Sequence, residues 1–149
     1  MAQYFSESHE GMSSLPTNSH GGMLMRHRCA IVFAVGATLA ATDQLVLGVL
    51  PAGYTIDEIT ADSDGITGLK VNVVQAEGLA ASDAKTTLAS AISLATAGGV
   101  AGTVTKDAIR FKGTDKGLYL VAEVAAGGDV TAGQEVGVTF TYRYRQVTY

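Results

Sequence analysis

The chain has no tryptophan, one cysteine and two prolines in 149 residues, and only 16% of those residues are charged. Each shortage excludes something. A lone Cys29 leaves no internal disulfide, and it fits a reduced setting. The missing tryptophan counts against a carbohydrate-binding domain, which wants an exposed aromatic platform. Ten Lys and Arg against fourteen Asp and Glu give a net charge of −4, which argues against nucleic acid as a partner. The low charge is the most informative deficit, because an ordinary soluble domain carries roughly 25%. A chain this poor in charge is expected to hide much of its outside against other chains.

What is present is enough apolar material, 47%, for one domain with a real core, together with 18 glycines. The clearest pattern lies near the end, from Gly133 to Arg145. Val136, Val138, Phe140, Tyr142 and Tyr144 alternate with Gly137, Thr139, Thr141, Arg143 and Arg145. Successive side chains of a strand point to opposite faces, so this is a long strand with one apolar side, expected in the middle of a sheet.

Residues 1–28 have no period of either kind and read as an extended N-terminal arm, with the domain at 29–149. Tyr4, Phe5, Met12, Leu15, Met23, Leu24 and Met25 are apolar anchors in or beside it. They lie either on a neighbouring subunit or back on the same domain. From Met23 to Ala41 the order basic, apolar, small resembles an export signal. It starts late, behind Glu7 and Glu10, and its apolar run is too short to span a bilayer, so a buried strand is expected instead. No membrane partner is implied.

That strand, Cys29 to Val35, is apolar on both faces and is expected to be central. Asp43 to Leu50 is the next, with Leu45, Leu47 and Val49 on one face. Pro51-Ala52-Gly53 is a turn, because proline fixes φ and glycine supplies positive φ. The alternation of Tyr54 and Ile56 then slips to Ile59, which predicts a bulge at Asp57-Glu58. Leu69 to Gln75 is a fourth strand. Thr86 to Leu94 is read as a strand, with a helix placing Leu88, Ile92 and Ala95 on one face as the competing reading. Ala108 to Lys112 is strand-like with Ile109 and Phe111 inward, and Leu118 to Val124 alternates again. Seven or eight strands at this spacing make an all-β antiparallel sandwich, jelly-roll-like.

No pattern carries chemistry. Asp62-x-Asp64-Gly65 opens like a calcium loop but lacks the later ligands, and acidic residues before glycine suit a tight turn. His9, His20 and His27 have no ligand spacing. No nucleophile elbow and no phosphate loop is present. No enzyme, cofactor or metal is expected. Tyr142-Arg143-Tyr144-Arg145 puts its aromatics and its cations on opposite faces, which leaves Arg143 and Arg145 outward for acidic residues of a partner.

Leu50-Pro51-Ala52-Gly53-Tyr54, the Ala/Thr-rich middle, and Gly117 to Ala122 leading through Thr131-Ala132-Gly133 to Val138-Thr139-Phe140-Thr141-Tyr142 together resemble small virion structural proteins of tailed bacteriophages. Within these they resemble the head cement, or decoration, proteins, over about Leu45 to Tyr144. The resemblance implies a jelly-roll-like homo-dimer or homo-trimer bound to the major capsid protein on the outside of the shell. It implies a virion component made in the host cytoplasm. The competing readings are an exported adhesin or pilin-like domain with residues 1–41 processed, a tail or neck subunit, and a tail-fibre domain binding carbohydrate.

Overall fold

A computed structural model describes residues 1–6, 15–17 and 24–145. In chain order the strands are β1 Gln3–Phe5, β2 Met25–Val32, β3 Ala37–Leu39, β4 Gln44–Leu50, β5 Tyr54–Ser63, β6 Lys70–Ala76, β7 Lys85–Ser93 and β8 Gly98–Gly102. A short helix α1, Lys106–Arg110, precedes β9 Leu118–Ala126, β10 Gly128–Val130 and β11 Glu135–Tyr144.

Two sheets face each other. One runs β1-β4-β9-β6-β7 and the other β2-β11-β5-β8, with β3 and β10 forming a separate ribbon. Setting aside the three-residue strands leaves eight. Numbered in order, they run 2-7-4-5 in one sheet and 1-8-3-6 in the other, which is the jelly roll. All the pairings within these sheets are antiparallel except β1 with β4, which is parallel.

β11 is central as expected, laddered to β2 on one side and β5 on the other. Val136, Val138, Phe140 and Tyr142 are completely buried, while Tyr144 at the end emerges. Opposite them stand Leu45, Leu47, Leu118, Leu120, Ala122 and Val124 in one continuous core. The bulge is at the expected place: Thr141 pairs with Glu58 and Tyr142 with Ile56, so Asp57 is the extra residue.

Three expectations need correction. β2 is an edge strand, not a central one, and its outward Val32 is exposed; of the expected stretch Cys29 to Val35, Cys29, Ile31 and Phe33 reach the core. A bulge between Val46 and Gly48 makes Leu50, not Val49, the inward residue at the end of β4. Ala108 to Lys112 does not form a strand. Thr105 caps α1, its hydroxyl accepting from Ala108 N–H at 3.2 Å, with Asp107 in the first turn and Arg110 in the last. Ala108 is the buried residue and Ile109 points to solvent.

β7 is a strand, and its irregularities explain the helical look. Register shifts opposite Val73 leave Leu88, Ala89 and Ile92 all inward. Ala91 has φ 54°, and Asn72 Oδ1 accepts its N–H at 2.8 Å, holding the kink.

The packing predicts that Phe140→Ala destabilises by about 3–5 kcal/mol in urea denaturation. Ile109→Ala is expected to stay within about 0.5 kcal/mol, the opposite of what an inward Ile109 would give.

Candidate interaction surfaces

The outer face of the β2-β11-β5-β8 sheet carries a row of charged and hydroxyl side chains. By register it presents Arg26 and Arg28, then Glu135, Gly137, Thr139, Thr141 and Arg143, then Glu58, Thr60 and Asp62. Arg28 binds Asp62 through Nε at 3.0 Å and Nη2 at 2.6 Å, and Glu135 through Nη1 at 2.9 Å. A Cβ on Gly137 would overlap that guanidinium, so glycine is what lets Arg28 lie flat across the central strand. The hydrogen bonds that Arg28 donates, to Asp62 first and Glu135 second, raise its pKa. The cluster is exposed and joins three strands. Sequence reading missed it, because nothing in the spacing of Arg28, Asp62 and Glu135 brings them together.

Asp62 is thereby committed to Arg28. Asp64 accepts the Glu135 N–H at 2.8 Å, and Gly65 has φ 86°. The segment is a turn, as its glycine suggested. Among the described residues no group of three His, Cys, Asp or Glu is placed to hold a metal ion.

The N-terminal segment has mixed contacts. β1 adds to the edge of the larger sheet beside β4. Tyr4 packs edge-on against Phe33 with ring centres 5.6 Å apart, whereas Phe5 is exposed. The Asp43 carboxylate accepts from Ala2 N–H and Ala40 N–H, each at 2.9 Å. Ser6 donates its N–H to Val46 at 2.9 Å and its hydroxyl to the Leu47 carbonyl. Leu15 is in the core of its own domain, so it is not available to a neighbour. Beside it Pro16 O accepts the Tyr142 hydroxyl at 2.6 Å. Met12 and Met23 lie outside the described residues. So do His9 and His20; His27 is in β2.

Leu24 is 58% exposed, while Met25 is half-buried against the core. Arg143 lies outward but near a carboxylate of its own chain, with Nε 3.1 Å from Asp57 Oδ2. Its N–H is not aimed at that oxygen, so the contact is an ion pair by distance and not a hydrogen bond. Arg145 reaches Phe111 O at 3.5 Å. Val32 and Val35, 60% and 73% exposed, sit at the far end of β2 from Leu24 and were not singled out from the sequence. A polar cleft of about 600 Å³ lies by the β3–β10 ribbon, lined by Thr38, Thr67, Asp129, Thr131 and Gln134 among others. Its one carboxylate, Asp129, is bonded to Thr38 at 2.9 Å.

The architecture these surfaces decorate is a single jelly roll with a short accessory strand. No protein-family model and no curated protein matches the sequence. Two solved chains share the fold. One belongs to the capsid of Ralstonia phage GP4, with a TM-score of 0.78 and 23% identity over 98% of this chain and 100% of that one. The other is in the capsid asymmetric unit of cyanophage Pam1, with a TM-score of 0.53 and 20% identity over 88% and 91%.

Two titrations follow from the contacts. Backbone hydrogen bonds from Ala40 and then Ala2 lower the Asp43 pKa. The stability this lends is present above the ordinary value near 3.8 and lost as pH falls through the lowered one. The protection factors of the Gln44 and Ser6 N–H groups, corrected for the intrinsic pH dependence of exchange, should therefore fall as pH drops below 3.8, and Asp43→Asn should remove that fall. Burial first, then Tyr54 and Cys29, push Tyr142 up from 10.0 to about 12. Its contribution is complete below pH 10.0 and lost towards 12, so Tyr142→Phe should flatten stability against pH across that alkaline window.

Proposed function

We propose that the chain is a structural subunit of a phage particle, of the cement or decoration type, seated on the outside of the major capsid protein shell. The observation that carries this reading is the end-to-end fold match to a chain of a phage capsid, with neither chain leaving a large unmatched part. The low charge, 16%, supports burial of surface against neighbours. In this reading Phe5, Leu24, Val32 and Val35 are the apolar contacts. Arg143 follows Tyr142, which pairs with Met25, and so stands at the Leu24 end of the sheet, while Arg145 reaches towards Phe111. A dimer or trimer multiplies these contacts, and linked weak contacts give strong retention.

The test is to add the purified chain to shells of its own phage from which it has been stripped. Saturable co-sedimentation and a higher temperature of shell disruption are expected. A chain that stays at the top of the gradient refutes the reading. Leu24→Glu combined with Val32→Glu should weaken retention at least tenfold, by order of magnitude, while the melting temperature of the free chain barely moves.

A further inference from the structure

β8 is the unguarded edge of its sheet. It pairs with β5 on one side, and among the described residues its backbone makes no hydrogen bond on the other. In an antiparallel pair alternate residues turn their N–H and C=O away from the partner, so β8 keeps a row of free donors and acceptors. The other edges are blunted. β1 is three residues long, and β2 carries Arg26 and Arg28. In β7 the Thr87 carbonyl accepts the Thr105 hydroxyl at 2.6 Å, and the Leu88 carbonyl accepts the Thr105 N–H at 2.8 Å. β8 has no such guard, since between Lys85 and Lys106 no residue is charged and none is proline.

Val100 makes the gap visible from the inside. It pairs with Ala61, a completely buried core residue, so by register it faces the interior of the sandwich. It is nevertheless 36% exposed, and the core here ends in solvent. At Gly102 the sandwich is shut, because a Cβ there would lie 3.0 Å from Ala89 Cβ and Ile92 Cδ1 of β7.

We propose that β8 is a self-association edge, pairing antiparallel with β8 of a second copy about a two-fold axis through Val100. Gly98 of one copy then stands opposite Gly102 of the other, Gly99 opposite Ala101, and Val100 opposite itself. Charge selects this occupant. A two-fold contact sets each group against its own image, so a charge near the axis would repel itself. β8 has none, and the first along the chain, Lys106, lies beyond it in α1. Asp62, beside Gly99 on the outer face, is already held by Arg28. A foreign strand chosen by its charge finds nothing on β8 to match, whereas a second copy needs no match. The two Val100 side chains cover each other on the core side, and two four-stranded sheets become one continuous sheet. None of this rests on the function proposed above.

The experiment is sedimentation equilibrium of the full chain over a concentration series, without shells, with hydrogen exchange measured at both ends of the series. A monomer–dimer equilibrium is expected, and amides within Gly98–Gly102 gain protection with dimer while those of β2 do not. Val100→Lys sets two cations face to face and should raise the dissociation constant about tenfold or more. When dilute it should melt within about 3 °C of the parent, because the site is at an exposed edge. Val100→Cys should give a covalent dimer under a mild thiol oxidant such as diamide, with the buried Cys29 left unreacted. A chain that stays monomeric up to about 1 mM overturns the proposal. So does a dimer that folded Val100→Lys forms equally well, one that protects β2 instead of β8, or open-ended growth beyond the dimer. If Val100→Lys fails to fold, the cross-link decides, and its absence refutes the pairing. With no shell present, failure here is distinct from failure to co-sediment.

Discussion

The constraint on which the rest of the structure depends is that each sheet must turn one unbroken apolar face to the other. β11 meets it most completely, and its position between β2 and β5 means that two ladders fix its register. A one-residue slip would send Phe140 and Tyr142 to the solvent side and Thr139 and Thr141 to the core. That requirement also reaches the N-terminal segment. Tyr142 brings a hydroxyl into an apolar interior, and a buried hydroxyl needs an acceptor. Pro16 O supplies it, and Leu15 beside it fills the core. Part of what composition marks as an arm is therefore built into the domain.

How much of this was legible follows from what alternation can and cannot report. Where a strand is regular, as in β9 and β11, period two named the inward residues correctly. The extra residue in β5 was legible because the apolar phase slipped visibly between Ile56 and Ile59. In β4 the phase also slips, but Leu45, Val46, Leu47, Val49 and Leu50 are all apolar, so no sign of the bulge remained. Two-faced apolarity misled in a similar way for β2. It marks burial on both sides, yet the residues buried on both faces belong to β4, β6 and β9, where Val46, Val74 and Val121 are hidden on the face turned away from the core. α1 was missed because its signal is a cap, Thr105 with Asp107 following, and a helix this short has no room for a period.

The surface was less legible than the core, for a reason of distance. Arg28, Asp62 and Glu135 are brought together only by the order β2-β11-β5, which local patterns do not encode. Exposed ion pairs of this kind contribute little to stability, with typical values of about 0–1 kcal/mol. Their effect here is on shape and charge. The guanidinium lies over Gly137 and pairs with two carboxylates, which leaves the trio with one net negative charge. Arg143 beside Asp57 repeats the device one strand position from Tyr142.

A face most of whose carboxylates already have a cation beside them would give up less solvation under a neighbour than one of isolated ions. The apolar residues Leu24, Val32 and Val35 stand at the two ends of the same edge strand. Such an arrangement favours contact that is broad and weak per copy over a single tight anchor. Weak contact suffices when copies are held in a lattice, because each bound neighbour raises the effective concentration at the next site. In the role proposed above, the interlocked sheets would supply rigidity and repetition would supply affinity.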